Sequence, residues 1–182
     1  MLPPTKWRAP AVSDLPDFSP YTLPDADTHP AIIAERVLQM PEHSHLVEGE
    51  ATIDWLMRTD EKRKGGKLVL GSAHMPTVQG DLRDMFEWML GNLFGRMPDF
   101  LIILDREFWR QAPPSVREIL VFHELSHCVH AKDRYGAPRF TRDGLPIWGM
   151  AAHDVEEFTA TVARYGAWNQ DIRLFVEAVT SA

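Results

Sequence analysis

The segment Val121–His130 reads VFHELSHCVH, and it restricts what this chain can build more than any other stretch. His123 and His127 stand four residues apart, with Glu124 directly after the first. That spacing has chemical meaning on a helix, where 3.6 residues per turn project both imidazoles from one face, one above the other. Two imidazoles so placed can hold one tetrahedral zinc ion. Glu124 is offset around the helix, so its carboxylate reaches water at the metal instead of the metal itself. The pattern H-E-x-x-H therefore contains two ligands and one general base. The competing reading is three core residues satisfied by ordinary hydrogen bonds, which is costly wherever a partner is missing.

The flanking residues predict a helix over residues 116–133. Ser115 followed by Glu118 has the form of a capping box. Lys132, Arg134, Gly136 and Pro138 have the form of a helix end. Val121, Leu125, Cys128, Val129 and Ala131 make the helix apolar over much of its circumference, as expected of a buried one. His130 is seven residues from His123, about 10 Å along a straight helix, too far to share one ion. Cys128 sits 100° around from His127 and is badly aimed to be a ligand.

A catalytic zinc ion needs a third protein ligand and an open position. The stretch GMAAHDVEEF, residues 149–158, holds the candidates. Asp154 and Glu157 have the spacing of an N-cap pair that starts a helix at Val155. His153 then precedes that helix with no structural task, which favours it as third ligand. Glu156 or Glu157 is the alternative. Asp154 is also a candidate to orient a ligating imidazole.

Elsewhere the pattern is mixed. Pro30–Met40 reads as a helix with proline in its first turn. ATIDWLMRTDEK, residues 51–62, reads as a second helix, with Ile53, Leu56 and Met57 on one stripe. Residues 67–70 (KLVL) read as a short strand ended by Gly71. The stretch from Leu82 has Met85, Phe86, Met89, Leu90 and Leu93 at helical spacing. FLIIL, residues 100–104, is a continuous apolar run of buried-strand length. The basic cluster at residues 61–67 reads as a solvated turn.

Composition bounds the rest. The chain has 182 residues, 45 % of them apolar and 25 % charged, enough for one domain with a core. Six prolines fall in residues 1–29, so that stretch reads as an irregular arm and 30–182 as the domain. No apolar run approaches the roughly 20 residues that span a bilayer, and the N-terminus lacks an apolar signal core; a cytoplasmic protein without a membrane partner is expected. Cys128 is the single cysteine, so no internal disulfide forms. A net charge of −7 argues against a nucleic-acid surface. Oligomeric state is not legible.

HELSH followed by HDVEEFTATVARYGAW resembles the phage metallopeptidases, small zincin-like proteins of bacteriophage and prophage genomes. The resemblance runs from about Lys67 to Trp168 through FLIILDREFW, the HELSH helix and RDGLPIWGMAAHDVEEF. The layout is also similar to SprT-like proteases, in which H-E-x-x-H precedes a histidine that opens a later helix; Asp154 stands where those proteins have glycine. By position, His123, Glu124 and His127 match the zinc-binding motif and His153 the downstream histidine.

The resemblance implies an α+β, zincin-like fold: a small sheet packed on a long HExxH helix with flanking helices. The strand at 100–104 or its neighbour is expected to present an edge to which an extended peptide adds by main-chain hydrogen bonds. The expected activity is a zinc (Zn2+) metallopeptidase acting on a peptide or protein substrate, with Glu124 as base. Tyr165, Arg164 and His130 are oxyanion-donor candidates by residue type alone. The alternatives are a non-catalytic zinc-binding module in phage or host protein interactions, and a zinc amidohydrolase acting on a non-protein amide.

Overall fold

A computed structural model of the chain describes residues 20–155, 159–167 and 170–181. The apolar run is the central strand of a four-stranded sheet. Strand β1 (Tyr21–Thr22) pairs antiparallel with β2 (Ile53–Arg58), and β2 pairs parallel with β6 (Phe100–Asp105). On its other side β6 pairs antiparallel with β5 (Gly71–His74), giving the order β1-β2-β6-β5. The sheet thus begins at Tyr21, upstream of residue 30.

Alternation sorts the side chains. Trp55, Met57, Phe100, Ile102 and Leu104 belong to one buried core with residues of α1 (Pro30–Val37) and α5 (Pro114–Ser126), joined by Leu46 of α2 (Ser44–Glu48). On the opposite face, Leu56, Leu101 and Ile103 line a cavity of about 710 Å³ together with Phe86, Met89, Leu90 and Leu93 of α3 (Arg83–Phe94). α3 forms as its periodicity predicts, yet Met85, Met89 and Leu93 remain exposed. The strand-to-helix step after β6 is set by Asp105, whose side chain accepts from the Phe108 amide at 2.9 Å and caps α4 (Arg106–Gln111). Its Trp109 is 1 % exposed, and the ring N–H donates to the Thr28 carbonyl. Trp109→Ala is expected to cost about 3–5 kcal/mol of stability, the range for emptying a large buried aromatic site, readable by chemical denaturation.

Several expected elements are corrected. Residues 53–58 are a strand, not a helix. Ile53, Leu56 and Met57 suit a helical stripe, but long-range pairing decides. Register sets Trp55 opposite Ile102 and Met57 opposite Leu104. Thr52 clamps one end: its amide and hydroxyl both donate to the Asp99 carboxylate. At the other end buried Arg58 meets Asp105 at 3.4 Å and donates to the Val69 carbonyl.

The expected strand at 67–70 shortens to β4 (Lys67–Leu68), which pairs with β3 (Arg63–Lys64) across the exposed Gly65–Gly66 turn. Gly71 begins the sheet strand instead of ending one. The helix expected over 116–133 runs from Pro114 to Ser126, with His127 as its C-cap. No side-chain cap comes from Ser115: Pro113 is the N-cap, and Glu118 pairs with Arg36 of α1. Beyond His127 the chain becomes β7 (Cys128–His130), antiparallel to β8 (Trp148–Met150). Gly136, at φ +85°, belongs to the turn between these strands. There the Asp133 carboxylate accepts from the Tyr135 and Ala137 amides. The helix loses to this hairpin because β8 supplies partners that continued helix would leave unpaired.

The chain closes with α6 (Thr159–Tyr165) and α7 (Gln170–Ser181), the latter anchored by buried Ile172. Val155 lies outside helical structure. Among the described residues no helix is long and apolar enough to cross a membrane.

Candidate metal centre

Three elements converge on one point. α5 carries His123, its C-cap is His127, and the segment after β8 carries His153. One ligand atom from each ring can be chosen so that all three lie within 4.8 Å of one another. The His123 and His153 Nε2 atoms are 3.2 Å apart. Tetrahedral ligands at a zinc–nitrogen distance of 2.0–2.1 Å are about 3.3 Å from each other, so this pair already has the separation a shared ion requires.

The backbone prepares His127. Its Nδ1 lies 2.8 Å from the Ala151 carbonyl, and the Ala151 amide donates to the His127 carbonyl, also at 2.8 Å. A carbonyl only accepts, so Nδ1 carries the proton and Nε2 keeps its lone pair for a metal. The imidazole-orienting task expected of Asp154 thus falls, for His127, to a main-chain oxygen. His123 is pushed towards its neutral, ligating form, first by burial and then by the neighbouring His127 and His153. These three histidines could therefore hold a metal ion.

Glu124 leaves the same helix in another direction. It is 3 % exposed and lies under the edge strand β5, where it accepts a backbone hydrogen bond from Ala73. Its Oε2 is buried with no partner. Burial pushes its carboxyl up to about 7, against the opposing pull of His127 and of the Ala73 amide. A buried carboxylate oxygen left unpaired costs stability unless another group uses it.

Gly71 makes this approach possible. A Cβ at that position would fall 2.3 Å from Glu124 Oε1 and 2.8 Å from its Cδ. Gly71→Ala should therefore displace the carboxylate or the strand and leave the histidines in place. Metal content should be retained, and any reaction that depends on the carboxylate should slow by up to about 10²-fold, the scale of a 1 Å misplacement. Metal analysis beside a rate measurement checks this.

Other candidates fall outside the cluster. Cys128 is fully buried; burial, with the nearby Glu124 second, pushes its thiol up to about 12, so it is inert. It points into the core from a strand, which replaces the helical reason for discounting it. His130 bonds the Arg139 carbonyl at 2.7 Å and packs against Phe140 and Trp148. Arg164 stacks on Tyr165 on α6, and neither lines the cavity at the histidines. Glu156 and Glu157 lie outside the described residues. Gly71, Ala73 and Ala151 were not legible as site residues because they act through the backbone or through lacking a side chain.

Fold and site together define a mixed α/β protein with a histidine cluster able to hold a metal ion. The chain belongs to the family described as "Putative phage metallopeptidase", whose model matches residues 25–179. No curated protein and no solved structure matches it.

Proposed function

We propose that this protein is a zinc metallopeptidase of zincin-like architecture, with His123, His127 and His153 as ligands and Glu124 as general base. One observation carries the reading: the three imidazoles meet within 4.8 Å, and Glu124 of the same helix, near enough to interact electrostatically with His127, keeps a buried oxygen that has no partner. A bound zinc ion would polarise a scissile carbonyl and acidify water. Glu124 takes the proton from the attacking water and delivers it to the leaving amine. β5, the sheet edge beside Glu124, offers main-chain groups to an extended substrate. A non-catalytic zinc module would have no use for Glu124, and inert Cys128 offers no thiolate ligand of the kind a deformylase-type amide hydrolase uses.

The test is zinc content and peptide hydrolysis of the purified chain, with chelation abolishing hydrolysis and added zinc restoring it. The ligand set has its own test. His153→Ala should lower zinc affinity sharply, while Glu156→Ala and Glu157→Ala keep the metal. The opposite pattern, a glutamate variant empty and His153→Ala full, would overturn the three-histidine set. The difference is chemical: three neutral imidazoles leave the full double charge on the ion, whereas a carboxylate weakens it as a Lewis acid.

A further inference from the structure

A cavity of about 540 Å³ opens against His123, His127 and His153. Among the described residues its other walls are Ile119, Phe122, Ala151, Ala152, Val155 and Phe175, with Ser126 and Asp154. The Ser126 hydroxyl donates to the Phe122 carbonyl of its own helix, so that donor is already used. No lysine or arginine is among these walls.

α5 explains the placement. Leu120, Val121, Glu124 and Leu125 are its buried residues. Ile119, Phe122 and Ser126 lie on the stripe shared with His123 and His127, at i, i+3, i+4 spacing. Ile119 is 68 % exposed, and Phe175, arriving from α7, is 56 % exposed. Neither is needed to close the core. Both leave apolar surface facing a concavity whose wall is the histidine cluster, the usual make-up of a ligand pocket. The concavity also continues along α5, since Ile119 and Phe122 line a second hollow with Met40.

We propose that this cavity is a specificity subsite that takes a bulky apolar side chain, aliphatic or aromatic, from one of the two residues flanking the scissile bond. The proposal rests on the metallopeptidase reading for its link to cleavage. Physically, an apolar side chain gains by leaving water against Ile119, Phe122 and Phe175. An acidic side chain seated against Ile119, Phe122 and Phe175 would lose its hydration and meet Asp154, and apart from the metal ion, whose open position the scissile carbonyl would take, it would find no lysine or arginine among the described walls.

The zinc-loaded full chain would be incubated with a pool of short peptides of randomised sequence, and cut positions read by mass spectrometry. Leu, Ile, Met or Phe should be enriched at one flanking position at least about tenfold over Asp and Glu. Ile119→Lys and Phe175→Lys, both at exposed positions, should keep wild-type zinc content. They should lower kcat/KM for an apolar peptide about tenfold or more and shift preference towards Asp and Glu. A binding arm does not depend on turnover: Glu124→Gln protein is titrated with fluorescent alanine-based peptides bearing either Phe or Glu. The Phe peptide should bind at least about tenfold tighter, and Phe175→Lys in that background should remove the difference. Cleavage without apolar preference, a preference that survives both lysine variants, or equal binding of the two peptides would overturn the subsite. Absence of zinc or of any hydrolysis would instead refute the peptidase reading, with the binding arm still deciding whether the cavity selects apolar side chains.

Discussion

Glu124→Gln is expected to keep its zinc and to lose hydrolysis by about 10²–10⁴-fold, the usual contribution of a positioned general base. The amide nearly matches the carboxylate in shape, so it still fits beneath Gly71, which leaves the space its missing Cβ would fill. It cannot take a proton from water. Its neutral form also suits a site 3 % exposed better than a carboxylate does. In the metal-free protein the folded state holds the Glu124 proton up to about pH 7, above the ordinary value of 4.5. The folded state therefore binds more protons than the unfolded state between these values, and its stability declines across that window as pH rises. Metal-free Glu124→Gln should escape this decline, melting above metal-free wild type at pH 8 and converging with it below about pH 4.5. A variant that hydrolyses a confirmed substrate at the wild-type rate would remove Glu124 from the mechanism.

The second large effect is loss of the metal. The purified chain should carry about one zinc ion, and His123→Ala or His127→Ala should reduce that content to near zero. Each change removes one of the two proposed ligands at the C-terminal end of α5, and the remaining imidazoles would not complete a tetrahedral set. Metal bound only by the folded state stabilises it by about 2.7 kcal/mol at a free concentration 100 times the dissociation constant. At about 2–4 °C per kcal/mol for a chain of this size, chelation should lower the wild-type melting temperature by roughly 5–10 °C. The same treatment should leave His123→Ala nearly unchanged. Full zinc content in the double variant would sink the assignment.

How much could be read in advance depends on how local each feature is. The relation of His123, Glu124 and His127 follows from helical pitch, and α5 does carry the first two and has the third as its C-cap. Phe100–Leu104 forms the central strand its unbroken apolar run predicts, buried except for half-buried Ile103. α3 forms where its periodicity lies, although its outer apolar residues meet water. His153 attracted attention because no structural task suggested itself, and its ring does lie with the other two. The strand at 53–58 is not legible locally, because its apolar residues fit a helical stripe as well as a strand with one buried face. The end of α5 is not legible locally either, because Lys132, Arg134 and Gly136 imitate a helix terminus while serving a turn.

The sequence by itself determined the local chemistry: which residue types sit one, three and four positions apart, and which short runs are too apolar to face water. Only the tertiary structure decided where those pieces stop and what they touch. Ser126 ends α5 because Cys128–His130 find partners in Trp148–Met150, some twenty residues away. Ala151 orients His127 because that hairpin delivers its carbonyl there. Glu124 packs beneath β5 because Gly71 has no side chain. These outcomes turn on backbone groups, and every residue carries the same backbone hydrogen-bonding groups apart from proline. Their pairing is therefore written in the long-range register of strands and not in the side-chain pattern of any one segment.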